Sequence, residues 1–292
     1  MSFAIITEST GNLPTQLANE HNITVIPFYY FLDGREMTCD NTETFAAKSY
    51  YDAIRKGAQV NTAQINPQRY MDTMEPYLQQ GKDVLFVGLS SGISGSFASA
   101  GIARQELLEK YPDRDIRLID SLGAGLGEGM LALRAANCRA NGMDLEETFR
   151  RISKFRDRMY QVFIVDDLMH LRRTGQLSNV RALVGYILGI KPLLKGNEHG
   201  KIVAFGKIRG RKAAIHAMAE KYFMLADRPE LQTVGISHAA CPEDAAYLME
   251  LISNKMPPKE FLLVEHEPVT GSHIGPGALA LFFGGKDEVR TK

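Results

Sequence analysis

The chain has 292 residues, more than one compact core usually holds, and this length predicts one large domain or two lobes. Hydrophobic residues make up 45% and charged residues 23%, a balance that excludes an intrinsically disordered chain. Lys plus Arg and Asp plus Glu each number 34, so the summed charge creates no field that would attract nucleic acid or an anionic membrane.

Short apolar runs alternate with helical patterns over the first 160 residues. Asn66 followed by Pro67 is typical of a helix start, and Asp33-Gly34 predicts a hairpin turn. The apolar runs predict strands at 3–7, 23–32, 84–89, 116–119 and 160–165. The segments between them predict helices at 43–56, 67–80, 96–110 and 127–140. This alternation favours a parallel or mixed sheet covered by helices.

The pattern changes after residue 165. Two helices are predicted at 167–174 and 179–190, then a hairpin within 197–210, then a β-α-β-α-β succession toward the carboxyl end. The sequence therefore predicts an α/β fold with two lobes, residues 1–160 and 161–292. We expect a mostly parallel sheet flanked by helices in the N-terminal lobe and a second α/β arrangement in the other.

The cysteines and the N-terminus point to a cytoplasmic protein. Cys39, Cys138 and Cys241 are far apart and form no CxxC pair, so we expect neither a disulfide framework nor a zinc site. The first ten residues lack the pattern of a secretory signal, and no apolar run approaches the roughly 20 residues of a membrane span. We therefore expect a soluble protein without an integral membrane segment.

The segment from Gly88 to Ser96 places serines and glycines between a strand and a helix. Hydroxyls and backbone N–H groups at such a helix start can face an anion, although a glycine turn with serine caps explains the same pattern. The stretch also misses a nucleophile elbow, because Ser96 stands where G-x-S-x-G needs its last glycine. Ser94 is therefore not assigned as a nucleophile.

No cofactor or metal motif emerges from the glycines and histidines. The glycines of 123–129 fail the dinucleotide spacing because Glu128 stands where the third glycine would fall, and no G-x-x-x-x-G-K-[ST] loop is present. No histidine pair shows the HExxH ligand spacing. His273 lies in the glycine-rich stretch TGSHIGPGA, which either positions it for binding or leaves it as a surface residue in a turn.

Two basic clusters complete the candidate residues. One is Arg172-Arg173, and the other contains Arg209 and Arg211, flanked by Lys207 and Lys212. Solvated charge is the usual meaning of such clusters, but glycines beside the second leave a basic edge that could meet an acidic partner or a phosphate.

In order along the chain, seven segments resemble the DegV family of fatty-acid-binding proteins, which includes the acyl-carrying subunits of bacterial fatty acid kinases. The segments are IITESTGNLP, Thr62-Ala63-Gln64, SSGISGS, LIDS, LRRTGQLS, GKIRGRKAA and GSHIGPGALAL. The likeness covers almost the whole chain and implies one DegV unit over residues 3–283. The sequence departs from the family pattern at Glu8, where Asp is usual, and at Ala63, Ile65, Thr174 and Gln176.

The resemblance implies that Thr62, Ser94 and His273 converge on the carboxylate of a fatty acid, with Ser91 and Gly95 shaping the loop around it. The acyl tail would then occupy an apolar tunnel between or within the lobes. Burying about a dozen CH₂ groups at roughly 0.8 kcal/mol each gives on the order of 10 kcal/mol. Hydrogen bonds to charged groups give only about 1.5 to 3 kcal/mol each, so the tail should set affinity and the head group orientation.

Tunnel walls could come from residues 182–190 and from the strands near Phe28 and Phe163, although core packing explains these residues equally well. The resemblance further implies a non-enzyme that carries the lipid for phospholipid metabolism, with phosphoryl transfer by a separate ATP-dependent kinase subunit. Arg172, Arg173, Arg209 and Arg211 are the candidates for docking that partner or for steadying the phosphate.

Two other interpretations compete with the carrier. A serine hydrolase acting on lipid esters would use Ser94 with His273 and an acid such as Asp120, but the broken elbow spacing disfavours it. A regulatory module would bind the lipid only as an effector.

Overall fold

The structure is a computed structural model that describes residues 3–39, 42–175 and 189–291. The chain forms two compact units. The first unit comprises Met1–Phe45 and Asn61–Arg156, and the second comprises Ala46–Val60 and Asp157–Lys292. Most of the predicted helix 179–190 and of the tunnel-wall candidate 182–190 lies outside the described residues, and Ile190 itself begins a strand.

The described residues form the following strands and helices, given in chain order. The strands are β1 Phe3–Glu8, β2 Ile23–Ile26, β3 Tyr29–Leu32, β4 Arg35–Thr38, β5 Val60–Ala63, β6 Asp83–Gly88, β7 Ile116–Asp120, β8 Met159–Ile164, β9 Ile190–Gly196, β10 Ile202–Arg209, β11 Thr233–His238, β12 Glu260–Glu265 and β13 Leu279–Gly284. The helices are α1 Thr15–Glu20, α2 Ala47–Arg55, α3 Pro67–Gln79, α4 Ser96–Lys110, α5 Leu126–Ala140, α6 Leu145–Arg156, α7 Leu168–Arg173, α8 Arg211–Leu225, α9 Pro242–Lys255 and α10 Pro268–Ile274.

A parallel sheet in the order β2-β1-β6-β7 forms the centre of the first unit. Every residue of β1 is buried, as expected for a strand covered on both faces by helices. Helices α3 to α6 pack against this sheet, which confirms the predicted parallel sheet with flanking helices. Because the strands are parallel, the carboxyl ends of β1, β6 and β7 meet at one edge, the usual place for a ligand in such sheets.

The second unit contains a six-stranded sheet in the order β10-β9-β8-β13-β11-β12. Only β11 and β12 pair in parallel, and the other neighbours are antiparallel. Helices α8 and α9 pack against this sheet over a core that includes Tyr160, Tyr222 and Phe283. The predicted second α/β lobe is thereby confirmed, and its sheet is mainly antiparallel.

Three local features differ from or sharpen the sequence expectations. The predicted strand 23–32 divides into β2 and β3 around Pro27, which has no N–H for a ladder bond. Helix α6 was not predicted, although the Asp144 carboxylate accepts from Glu147 N at 2.8 Å as a cap. The hairpin between β3 and β4 is confirmed, with Asp33 at φ 48° and Gly34 at φ 80°.

The described residues contain neither a membrane-spanning helix nor a metal-binding cluster. None of their helices combines the length and apolar character that crossing a bilayer requires. Likewise, within 3–39, 42–175 and 189–291, no three His, Cys, Asp or Glu side chains are grouped so that they could hold a metal ion.

Candidate functional site

The loop that follows β6 is fastened to both neighbouring strands of the parallel sheet. Leu89 N donates to Glu8 Oε2 at the end of β1, at 2.7 Å. Ser91 Oγ donates to Asp120 Oδ2 at the end of β7, at 2.5 Å, and Ser91 N donates to Asp120 Oδ1 at 3.3 Å. Ser90 N donates to Gly123 O at 3.0 Å. The loop therefore holds its serines in place through bonds to the two adjacent strand ends.

Ser94 and the Thr62 segment lie side by side in the first unit. The Ser94 hydroxyl accepts from Ser96 N at 3.2 Å and donates to Ser96 Oγ at 3.1 Å, and Ser96 Oγ accepts from Ile65 N at 3.2 Å. A Cβ placed on Gly95 would lie only 2.3 Å from Gln64 Oε1. The absence of a side chain at Gly95 thus lets the strand end that bears Thr62 approach the turn that bears Ser94.

Asp120 does not support the hydrolase arrangement. Its carboxylate accepts from Ser91 Oγ and from Leu122 N, at 2.5 and 2.9 Å. Within the described part of the chain, the hydroxyl of Ser94 has only Ser96 as a partner, which is the bonding of a helix start and provides no general base.

Two buried glutamates lie beneath the serine loop. The sequence alone did not predict that they are neighbours. Glu8 and Glu128 are each about 1% exposed or less. Burial raises the pKa of Glu8 from 4.5 to about 7, against hydrogen bonds from Tyr70 and Leu89 that lower it. Burial, and then the charge of Glu8, raise the pKa of Glu128 well above 4.5. Burial and the Glu8 charge also raise the pKa of Tyr70, so the phenol stays protonated.

The hydrogen bonds are compatible with the proton that burial and the Glu8 charge favour on Glu128. Thr7 Oγ1 has one proton, and the carbonyl of Val87 can only accept it, at 2.8 Å. The 3.0 Å contact between Thr7 Oγ1 and Glu128 Oε1 is therefore satisfied when Glu128 donates. Tyr70 O–H donates to Glu8 in a short bond. The floor of the loop thus carries at most one negative charge near neutral pH.

His273 lies in the second unit, on the short helix α10. Burial, followed by the neighbouring charge of His170, lowers the pKa of His273 to about 4, so its ring is neutral near pH 7. The helix is tied to α7, because His170 Nε2–H donates to Ser272 O at 2.5 Å. Thr174 Oγ1, which donates to Leu171 O at 2.9 Å, also lies 3.3 Å from His273 O. His273 is therefore a neutral, half-buried imidazole, and the carboxyl-terminal part of its helix is hydrogen-bonded to α7.

The four predicted docking arginines fall into two groups. Arg172, Arg173 and Arg209 are exposed, and of these Arg173 lies 3.4 Å from Asp167. Arg211 is 20% exposed and pairs with Asp244 at 2.8 Å and Asp166 at 3.2 Å, while also donating to the backbone. Arg211 is thus part of an internal ion-pair network.

The predicted tunnel walls do not coincide with a cavity in the first unit. Phe28 and Phe163 are buried, at 3% and 8% exposure. The cavity, of about 470 Å³, lies at the amino ends of β1 and β2, opposite the serine loop, and is lined largely by polar groups such as Lys82 and Arg139. It is not an acyl tunnel, and the tunnel stays a prediction.

The fold and the loop define a two-unit α/β protein whose parallel sheet presents hydroxyls at its carboxyl edge. A sequence model described as the uncharacterised DegV family matches residues 2–286, and the chain belongs to the DegV family. A DegV domain-containing protein of Clostridium perfringens is 35% identical over 281 residues, 96% of this chain and 97% of the relative.

Solved structures extend the comparison. A fatty-acid-binding DegV family protein from Thermus thermophilus is 27% identical, with a TM-score of 0.88 over 97% of this chain and 100% of that one. DegV, a fatty acid binding protein from Bacillus subtilis, is 30% identical, with a TM-score of 0.84 over 98% of this chain and 100% of that one. Fatty acid binding is therefore an attribute of members of this family.

Proposed function

We propose that this chain binds a long-chain fatty acid and presents its carboxylate to a separate ATP-dependent kinase. The observation that carries the binding half is the likeness to fatty-acid-binding DegV proteins at 27% and 30% identity along nearly the full chain. The kinase half rests on the sequence resemblance to acyl-carrying kinase subunits and on the exposed arginines described below.

In this proposal, Thr62, Ser94 and His273 supply the donors for the carboxylate. A carboxylate that leaves water needs hydrogen-bond donors, and two hydroxyls with a neutral imidazole provide them without a metal. The side-by-side placement of the Thr62 and Ser94 segments supports this assignment. The proton on Glu128 supports it as well, because a second buried negative charge below the loop would repel the ligand.

Docking of the kinase falls to Arg172, Arg173 and Arg209, whose charges face solvent. Exposed arginines suit an acidic partner surface or a transferred phosphate, since the guanidinium fork bonds two oxygens at once. Arg172 and Arg173 sit on α7, the helix bonded through His170 to the helix of His273. A partner that binds α7 would therefore contact a helix that is hydrogen-bonded to the helix bearing His273.

The test of the binding site compares Ser94→Ala and His273→Ala with the matched control Ser253→Ala, an exposed serine on α9. Displacement of a fluorescent fatty acid gives Kd. Loss of one hydrogen bond to a carboxylate, about 1.5 to 3 kcal/mol, predicts roughly tenfold weaker binding or more for each site variant. Equal Kd values for all three variants and the wild type would remove these residues from the site.

The test of the division of labour uses the purified chain with ATP, Mg²⁺ and palmitate. The chain alone should form no acyl phosphate, and adding a fatty acid kinase catalytic subunit should produce it. Acyl phosphate formed by the chain alone would refute the carrier role. Covalent labelling of Ser94 by a fluorophosphonate would instead favour a hydrolase.

A further inference from the structure

Four buried polar side chains form a hydrogen-bond chain from strand β11 to the first turn of helix α10. Its members are Ser237, His266, Thr270 and Glu267, none more than 8% exposed. Ser237 Oγ lies 2.8 Å from His266 Nδ1, and His266 Nε2 lies 2.7 Å from Thr270 Oγ1. Thr270 Oγ1 lies 2.5 Å from Glu267 Oε1. The same carboxyl accepts from Val269 N at 2.6 Å and from Thr270 N at 2.7 Å, and so caps α10.

We propose that Glu267 is a positioning residue, which sets helix α10 and with it His273 by capping that helix, and that the hydrogen bonds running from Glu267 through Thr270 and His266 to Ser237 reverse direction when Glu267 takes up a proton. This inference deepens the proposed function and rests on it for its effect on lipid binding. Glu267 is not a ligand of the fatty acid in this account, because it acts only through the helix it caps.

Proton counting gives this hydrogen-bond chain two arrangements, and only the ionised one provides an acceptor within the four side chains for every proton. With Glu267 ionised, Thr270 O–H donates to Glu267, His266 Nε2–H donates to Thr270, and Ser237 O–H donates to His266 Nδ1. With Glu267 protonated, its O–H donates to Thr270, Thr270 donates to His266 Nε2, and His266 Nδ1–H donates to Ser237. The change adds one proton, from three to four, and switches the His266 tautomer while the ring stays neutral.

Glu267 is the member that titrates near neutrality. Burial raises the pKa of Glu267 to about 7, against the hydrogen bonds from Thr270 and Val269. Burial, followed by the charge of His238, lowers the pKa of His266 to about 3, so the ring remains uncharged in both arrangements. The ionised carboxylate is the better cap, because its charge opposes the positive end of the helix.

Several groups packed around this hydrogen-bond chain have pKa values that are shifted by burial. Helix α2 contributes Tyr51, whose O–H donates to His266 O at 2.7 Å and whose pKa burial holds well above 10. Tyr50 of the same helix donates to Pro268 O at 2.7 Å. Burial lowers the pKa of His238 on β11. Burial raises the pKa of Cys241 to about 12.

Three other titratable groups need separate treatment. Glu265 of β12 lies 3.6 Å from His238, and burial raises its pKa. The carboxyl-terminal part of α10 faces His170, which is bonded to Ser272 O, and bears His273, whose pKa of about 4 keeps it neutral between pH 6 and 8. A comparison of variants that differ only at Glu267 removes the contribution of these groups.

The test measures histidine ring ¹⁵N shifts and fatty acid Kd between pH 6 and pH 8. In the wild type His266 should change from Nδ1–H to Nε2–H with a midpoint near pH 7. Glu267→Gln cannot ionise, so His266 should hold a single tautomer from pH 6 to pH 8. Relative to the wild type, its Kd should be similar at pH 6 and about tenfold weaker at pH 8. Thr270→Val removes the hydroxyl that links Glu267 to His266, so the His266 tautomer should no longer depend on pH.

Asp144→Ala is the matched control, because it removes a helix cap from α6, which bears none of the site residues. It should lower stability while leaving Kd unchanged at both pH values. A wild-type His266 that keeps one tautomer from pH 6 to 8, or a Glu267→Gln defect equal at both pH values, would overturn the proposal. The wild type could bind no fatty acid while the ring ¹⁵N shifts of His266 and His273 still change with the ionisation of Glu267. That result would support the hydrogen-bond chain and refute the proposed ligand.

Discussion

Glu8→Gln should change how the stability of the protein depends on pH. Glu8 is 1% exposed and its pKa rises through burial from 4.5 to about 7. In the wild type the unfolded carboxyl ionises at 4.5, whereas the folded one keeps its proton until about pH 7. The contribution of Glu8 to stability is therefore present below pH 4.5 and is lost as pH rises toward 7.

The size of this loss follows from the two pKa values. A change from 4.5 to about 7 corresponds to about 3 kcal/mol, at about 1.4 kcal/mol for each tenfold change in proton affinity. A buried glutamine is close in shape to the protonated acid, and its carbonyl can still accept from Leu89 N. Glu8→Gln should thus match the wild type below pH 4.5, lead it slightly at pH 5 and gain up to about 3 kcal/mol on it by pH 8.

Urea unfolding of both proteins at pH 5, 6, 7 and 8 measures the difference. Using the difference cancels the opposite contributions of His266 and His273, whose lowered pKa values make stability rise with pH. Glu36→Gln, on an exposed strand, controls for removal of a carboxyl and should show no such trend. A Glu8→Gln stability that falls relative to the wild type as pH rises would refute the buried-proton argument.

Two further predictions concern packing and docking. Gly129→Ala should lower the unfolding free energy by about 1 to 3 kcal/mol in urea melts, because its Cβ would lie 2.1 Å from Gly11 O. Gly101→Ala meets open space within helix α4 and should raise it by roughly 0.5 to 1 kcal/mol; equal effects would contradict the steric account. Replacing Arg172 and Arg173 together by Glu should slow kinase-coupled turnover most at low salt while leaving fatty acid Kd unchanged. A loss that is independent of salt would count against electrostatic docking.

Local patterns were enough to predict the parallel sheet of the first unit and its helices α3, α4 and α5. Apolar runs such as Val84 to Leu89 are continuous because the parallel sheet is covered on both faces. The serine loop was likewise recognisable, since a glycine- and serine-rich segment between a strand and a helix falls at the carboxyl edge of such a sheet. The DegV resemblance then singled out the residues of that loop.

Long-range pairings could not be read from the same patterns. Nothing local to β13 indicates that it pairs between β8 and β11, or that residues 46–60 group with the second unit. Glu8 and Glu128 are 120 residues apart, so their pairing depends on the packing of α5 against β1. Glu128 was noticed only as a missing glycine, and its burial as a protonated acid needed the hydroxyls of Thr7 and Thr10 to be located.

Native mass spectrometry of the chain, stripped of lipid and then mixed with an equimolar set of fatty acids, tests the central claim most directly. The account predicts a single added mass equal to one fatty acid, retained by the wild type and by Ser253→Ala and diminished in Ser94→Ala and His273→Ala. A wild-type spectrum that shows only the bare chain, or all variants retaining lipid equally, would contradict it.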